Sequence, residues 1–268
     1  WLAESGRQRS AATLTVLETR RGGVVWVDPA GHQADLLVDC GDETDAGFTT
    51  KPFLQAHGIN QLRRVAFTHG DIRHVGGWRI LDEAFRVREV GLGATPFRSP
   101  AYRELAARFT SAGTARRLVA GTHWHGWRVL HPPASTAFSL ADDNCLVLAG
   151  EVEQIRVLLL GDLGPLGQRA LAEREPELRA DIIVAGAPTR GEPVGAALVE
   201  TARPELIILD DADPAAPVAP PDHVRQWRDR GIQVLRTAEH GTVTVRFTGA
   251  GWQAWGMRGP PARANRQH

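Results

Sequence analysis

Three side chains able to hold a divalent cation fall within six positions of the stretch FTHGDIRHVGGW, residues 67–78: His69, Asp71 and His74. Imidazole nitrogen and carboxylate oxygen are the usual donors to zinc, and carboxylates also suit manganese. A loop leaving a strand points several such groups the same way. Two histidines in a polar loop also occur with no ion, so the spacing leaves two readings: a working metal centre, or the remains of one.

The flanking sequence supplies the elements that would position these residues. ATLTVLE, GVVWVDP and ADLLVDCG read as short strands bounded by turn residues, an antiparallel start. TTKPFLQAHGI reads as a helix with Thr50 as N-cap, Pro52 in its first turn and Gly58 as its stop. LRRVAFTH is the next strand; its end delivers His69 into the loop, and GGWRILDEAF begins a helix behind it. VREVGLG is a strand, SPAYRELAARFTSAG a helix capped by Ser99, and RRLVAGTHWHGWRVLHPP two short strands around a glycine turn. NCLVLAGEVEQIRVLLLGDL reads as a hairpin whose second arm, apolar throughout, should be central and buried. Helices around GQRALAEREPELR, PVGAALVETAR and PDHVRQWRDRG then alternate with strands ADIIVAG, ELIILDD and IQVLRT, and TVTVRF closes the pattern. A β-rich half followed by alternating strands and helices implies two mixed sheets with helices on their outer faces.

Composition narrows the class. A chain of 268 residues, 43% hydrophobic and 23% charged, buries a large core, and we read it as one domain. The longest apolar runs, such as VLLLGDLGPLG, are broken well short of the roughly 20 residues of a membrane helix. Zero formal charge argues against strong non-specific DNA binding, and Lys51 is the sole lysine among arginines. Trp1 in place of methionine reads as a chain excised from a longer protein.

Taken in order, LLVDCG, THGDIRHVGG, LADDNCLVL, LLLGDL, RPELIILD and GIQVLRTAEHGTVTV resemble the metallo-β-lactamase fold. Specifically, they resemble the soluble domain of ComEC-type DNA-uptake (competence) proteins, over most of residues 12–248. That family has a strand ending Asp-Gly-Gly, a loop T-H-x-D-x-D-H-x-G-G, a D/N-N-S strand start, a strand ending Gly-Asp and a late Pro-His-His-Gly. The resemblance implies an α+β fold, an αββα sandwich of two mixed sheets flanked by helices, with the site at the sheet edges. It also implies a domain at 12–250; residues 1–11 read from composition as an excised or linker segment and 251–268 as a disordered tail.

Carried over by position, His69 and Asp71 would hold a first metal, His74 a second, and Asp162 would bridge them. Asp39 would steady the loop from behind the ligands. Asp143 and Asn144 match the D/N-N pair, and Cys145 replaces its serine. Three departures follow. Arg73 stands where the family has a ligating aspartate, AGAPTRG puts Ala187, Pro188 or Thr189 in place of the late histidines, and LETRRGG replaces the turn D-V-G-Q-G. These imply one divalent metal, zinc or manganese, or none, in place of the two that phosphodiesterases hold about 3.5–4 Å apart. Arg73 would then serve as an internal counter-ion, reaching Asp162 or Asp71, because clustered carboxylates without a cation repel.

Outside this set, His123 and His125 alternate on a strand and share its face, His131 precedes a turn, and His240 lies at a turn; no role is assigned to them. Cys40 and Cys145 read as buried small apolar residues, with a disulfide conceivable outside the cytoplasm. RRGG at 20–23, RVREV and HVRQWRDRG read as solvated surface, with no interleaved aromatic platform for single strands.

The expected function is therefore a ComEC-type domain in uptake of transforming DNA, with a degenerate centre that is weakly active or inactive as a metal-dependent nuclease. If it is active, His69, Asp71 and Asp162 hold the ion, and Asp71 or Asp39 orients the attacking water. The expected partners are single-stranded DNA and the membrane-channel part of the same longer protein, with no dinucleotide. The domain would be membrane-associated and extracytoplasmic. Two alternatives are a non-catalytic scaffold that guides DNA through a channel and a one-metal hydrolase of a small ester.

Overall fold

The computed structural model describes residues 11–20, 22–29, 34–135, 138–212, 222–249 and 251–265. Residues 1–10 of the expected 1–11 linker, Arg21 of RRGG and the last residues of the tail, 266–268, lie outside the described residues.

Chain order begins with β1 (Thr13–Val16), β2 (Val25–Asp28) and β3 (Leu36–Val38). A helical run follows, α1 (Glu43–Asp45), a π turn at Ala46–Thr50 and α2 (Lys51–Ala56). Next come β4 (Arg64–Phe67), the short α3 (Ile72–Val75), α4 (Trp78–Phe85), β5 (Glu89–Gly93), α5 (Pro100–Ser111) and β6 (Ala115–Leu118). The chain then builds a second sheet from β7 (His123–Trp124), β8 (Trp127–His131), β9 (Val147–Val152) and β10 (Ile155–Gly161). That sheet is completed through α6 (Pro165–Arg174), β11 (Ile182–Ala185), α7 (Ala196–Ala202), β12 (Leu206–Leu209), α8 (Asp222–Asp229) and β13 (Gln233–Arg236). After α9 (Thr237–His240), β14 (Val243–Thr248), β15 (Gly251–Gly256) and β16 (Ala262–Asn265) return to the first sheet.

Among the described residues the first sheet has nine strands, ordered β16-β15-β14-β1-β2-β3-β4-β5-β6, and the second has seven, ordered β13-β12-β11-β10-β9-β8-β7. Each is mixed: β3 to β6 run parallel, as do β10 to β13, and the rest pair antiparallel.

The period-two alternation of side chains sorts residues into layers. In β10, Val157 and Leu159 enter the core between the sheets, and Leu158 and Leu160 face the opposite side under α6 and α7. In β2, Val25 and Val27 point into the sandwich, and Trp26 lies under the helices of the first sheet with Leu54, Trp78 and Phe85. Each such side chain contributes about 1.5–3 kcal/mol by leaving water. Three apolar layers over two sheets make the expected αββα sandwich, with β10 at the centre of its sheet as its apolar run implied.

Four local expectations are corrected. The first helical run starts at Glu43, not just after Thr50: Asp42 caps it by accepting from the Asp45 N–H at 2.8 Å. Thr50 is inside the run, its hydroxyl donating to the Cys40 carbonyl at 3.1 Å. The segment 115–131 contains three strands, because β6 ends the first sheet before the β7–β8 hairpin opens the second. His125 occupies that hairpin turn at φ +49, so it shares no strand face with His123, and its Nε2 lies 2.7 Å from Glu89. Finally, residues 251–256 and 262–265, placed in a disordered tail from sequence, are strands. Trp252 and Ala254 alternate into the sandwich core, and burial of that indole holds the edge in place.

Candidate metal centre

Side chains that could do chemistry gather where strands of both sheets end. Asp39 follows β3, His69 follows β4, Asp162 follows β10 and Asp210 follows β12. In open α/β sheets the carboxyl ends of parallel strands are the usual place for a site.

Asp39 sits at φ +58, a left-handed conformation that aspartate adopts more readily than most residues. Its carboxylate is buried and accepts three hydrogen bonds: the Thr68 N–H at 2.8 Å, the Thr68 hydroxyl at 2.5 Å and His74 Nδ1–H at 2.9 Å. His74 is carried on α3, and the Cys40 N–H donates to its carbonyl at 2.9 Å. Its other nitrogen, Nε2, lies 3.1 Å from Asp162 Oδ2. Burial would lower the His74 pKa, yet Asp162 and Asp39 outweigh it and hold the pKa well above the usual histidine value. Burial pushes Asp162 up, and the adjacent His74 more than reverses this, leaving Asp162 below the usual carboxylate value. The cation lying between two buried carboxylates in this arrangement is thus His74.

His69 is fully buried, its ring centroid 4.3 Å from that of His74. Thr68 Oγ lies 3.2 Å from His69 Nδ1, and His69 Nε2 has no hydrogen-bond partner. Burial, then repulsion from His74, lowers the His69 pKa. His69, His74 and Asp162 each present one donor atom, all within 4.8 Å of one another.

Asp71 is not among these donors. It caps α3 by accepting from the Arg73 N–H at 2.9 Å, and the Arg73 guanidinium donates to both its oxygens at 3.1 and 3.0 Å. Burial opposes ionisation of Asp71, but these bonds prevail and bring its pKa down to about 2. Arg73 therefore reaches Asp71, one of the two carboxylates expected for it, and lines the mouth of the centre. A cavity of about 90 Å³ opens there, bordered by Gly23, Arg73, His74, Asp162, Ala187 and Asp210. Ala187 brings no donor side chain to that cavity.

The pair Asp143 and Asn144 serves structure instead. Asp143 Oδ1 accepts from the Leu166 and Gly167 N–H groups at 2.9 and 3.2 Å, at the start of α6. The Asn144 amide donates to the Phe138 and Leu140 carbonyls at 2.8 and 2.6 Å. Cys40 and Cys145 are buried and free, and burial pushes both thiols up. His131 is buried and bonds the Asp143 carbonyl through Nε2 at 2.9 Å; His240 Nδ1, at the end of α9, lies 3.1 Å from the backbone nitrogen of Arg236 at the end of β13.

Two residues at the centre were missed from sequence. Asp142 places Oδ1 3.9 Å from His69 Nε2. Asp210 is buried, takes the Thr237 hydroxyl at 3.2 Å on Oδ1 and leaves Oδ2 without a partner; burial, then Asp162, raises its pKa well above the usual range. The signal for Asp210 was there to read: LIILDD ends an apolar run in aspartate as LLLGD does. The close approach of Gly186 belongs to the same edge, since a Cβ there would meet Asp162 Oδ1 at 1.9 Å.

Two imidazoles and one carboxylate, with a buried imidazole nitrogen lacking a partner, fit a divalent metal ion. Sandwich and site together define a metallo-β-lactamase-fold domain. Residues 22–140 match the model of the Metallo-beta-lactamase superfamily. The chain is 27% identical over 202 residues to ComE operon protein 3 of Bacillus subtilis (strain 168), covering 73% of this chain and 26% of that protein. It thus spans about a quarter of the relative it matches.

Solved structures share the fold at low identity. A diphosphatase from the PhnP family aligns with a TM-score of 0.50 at 15% identity, covering 91% of this chain and 98% of the other. Tm1679, a metal-dependent hydrolase of the beta-lactamase superfamily, gives 0.52 at 12%, covering 84% and 95%. CmlA, a diiron beta-hydroxylase from Streptomyces venezuelae, gives 0.53 at 14%, covering 88% and 54%. One fold carrying several chemistries leaves the substrate to be argued from the site. Among the described residues no helix is long and apolar enough to cross a membrane.

Proposed function

We propose that this chain is the metallo-β-lactamase-fold domain of a ComEC-type competence protein, and that it handles single-stranded DNA during uptake with a reduced, one-metal centre. The observation that carries the reading is the buried donor set His69, His74 and Asp162, lying in a chain related over 73% of its length to ComE operon protein 3. The remainder of the longer protein would supply the membrane channel, and the domain would face outside the cytoplasm.

His69, His74 and Asp162 would hold the ion, with Asp39 fixing the His74 ring through Nδ1. A divalent ion there would supply Lewis acidity toward a phosphoryl oxygen. Arg73 at the mouth is half-committed to Asp71 and leaves part of its guanidinium exposed, so it can steer a phosphate toward the cavity. With a cation at position 73 and Ala187 in the cavity wall, two ligand positions of a two-metal clamp hold residues that bring no donor in this proposal, and hydrolysis is slow.

The test is metal content of protein purified without chelator, by elemental mass spectrometry, alongside cleavage of single-stranded DNA in manganese or zinc. About one equivalent with slow cleavage is expected. Two equivalents with rapid turnover would overturn the one-metal reading. One feature favours a non-catalytic, DNA-guiding role instead: Arg73 stands where a ligand is required. One bound metal with DNA binding and no cleavage would establish that role.

A further inference from the structure

We infer that Asp142 is a further donor to this metal centre, entering beside His69 where sequence expectation put Asp71. The inference rests on the metal-binding reading above and names a ligand within it.

Hydrogen-bond accounting leads there. The Thr68 hydroxyl has one proton, and at 2.5 Å it goes to Asp39 Oδ2, which as a carboxylate can only accept. The Thr68 oxygen is then an acceptor toward His69 Nδ1 at 3.2 Å, a closer partner than the Cys145 thiol at 3.9 Å, so that nitrogen carries the ring proton. His69 Nε2 is left as a bare lone pair, fully buried and without a partner. The group in front of it is Asp142 Oδ1 at 3.9 Å. This separation is too long for a hydrogen bond. It lies within the span of two donors on one ion, at most about 4.3 Å when each bond is 2.0–2.2 Å. Asp142 stands outside the donors that lie within 4.8 Å of one another, so its side chain must swing inward to reach an ion that His74 and Asp162 also hold. Two acceptors facing each other, the imidazole fully buried and the carboxylate 15% exposed, repel, and a cation between them removes the repulsion.

Asp142 is held for this role from behind. Its Oδ2 accepts from the Thr189 N–H at 2.7 Å, which turns Oδ1 toward His69. Its carbonyl accepts from the Gly164 and Cys145 N–H groups, each at 3.1 Å, tying its backbone to the strand end that carries Asp162. The loop 187–189, which lacks the late histidines of the resembling family, therefore contributes through its backbone by orienting a carboxylate on a neighbouring turn. Asp71, by contrast, has both oxygens committed to Arg73.

The test is zinc affinity of the chelator-stripped 268-residue chain, by titration calorimetry with zinc chloride, for the native protein, Asp142→Asn and Asp71→Asn. Asparagine preserves shape at both positions and can still cap α3 at position 71. Matching circular dichroism and melting of the metal-free proteins establish that each variant folds. Asp142→Asn should weaken zinc by roughly 100-fold or more, beyond the 10- to 100-fold typical of groups that merely orient ligands. Asp71→Asn should stay within about threefold of native, since it reaches no donor. Native protein that binds zinc, with Asp142→Asn binding equally well, would overturn this inference and leave the metal-binding reading intact. Native protein that binds no zinc would overturn both.

Discussion

Replacing Asp39 with asparagine removes one charge and almost no volume. Asparagine also tolerates the left-handed backbone at this position, φ +58, so the change acts on the side chain alone. The Asp39 carboxylate accepts from the Thr68 N–H, the Thr68 hydroxyl and His74 Nδ1. An amide cannot accept from all three, because its NH2 must face one of those donors. His74 meanwhile lies between Asp39 and Asp162, both almost fully buried. Asp162 still faces the His74 cation after the change, so the cost is that of a buried donor set against the amide NH2, about 1–3 kcal/mol. For a chain of this size each kcal/mol moves Tm by roughly 2–4 °C, so metal-free Asp39→Asn should melt roughly 2–12 °C lower. Urea unfolding followed by circular dichroism, with chelator present, measures the same loss as a fall in midpoint at constant slope. A loss below about 1 kcal/mol would refute the claim that the Asp39 carboxylate locks Thr68 and His74 into one hydrogen-bonded unit.

Two further outcomes follow from residues outside the centre. Burial lowers the His131 pKa from 6.5 to about 4, so between those values the unfolded chain binds the proton and the native one does not. Stability conferred by neutral His131 is then complete above the unfolded value and falls as pH drops toward 4, by about 3 kcal/mol; urea midpoints across that range should show the slope, and His131→Gln should flatten it. Trp252→Ala should cost about 3–5 kcal/mol, because the indole fills the space between the sheets; a change near zero in urea unfolding would mean that β15 is not part of the folded core.

Much of the architecture was legible because it is local. The continuous apolar run IRVLLLGD has to be buried on both faces, and it forms the central strand β10. Ser99 before Pro100 marks a helix start, and the Ser99 hydroxyl does accept from the Tyr102 N–H at 3.2 Å. An apolar run that ends in Gly-Asp delivers its carboxylate at a strand end, which is where Asp162 lies. The sequence by itself also determined which residue types reach the centre: His69 and His74 flank one turn after a strand and can scarcely avoid sharing it.

Direction was decided only by tertiary structure. Asp71 and Asp142 are equally plausible donors on paper; the first is turned away by the cap it gives α3 and by Arg73, the second is turned inward by an N–H from residue 189, 47 positions along the chain. His74 is a cation because Asp39 and Asp162 approach it from different sheets. The chain end reads as polar tail until β14 offers it an unpaired edge and the sandwich a place for Trp252. A strand or a cap depends on neighbours a few residues away, whereas the aim of a carboxylate depends on hydrogen bonds made across the fold, and those exist only once the two sheets have closed on each other.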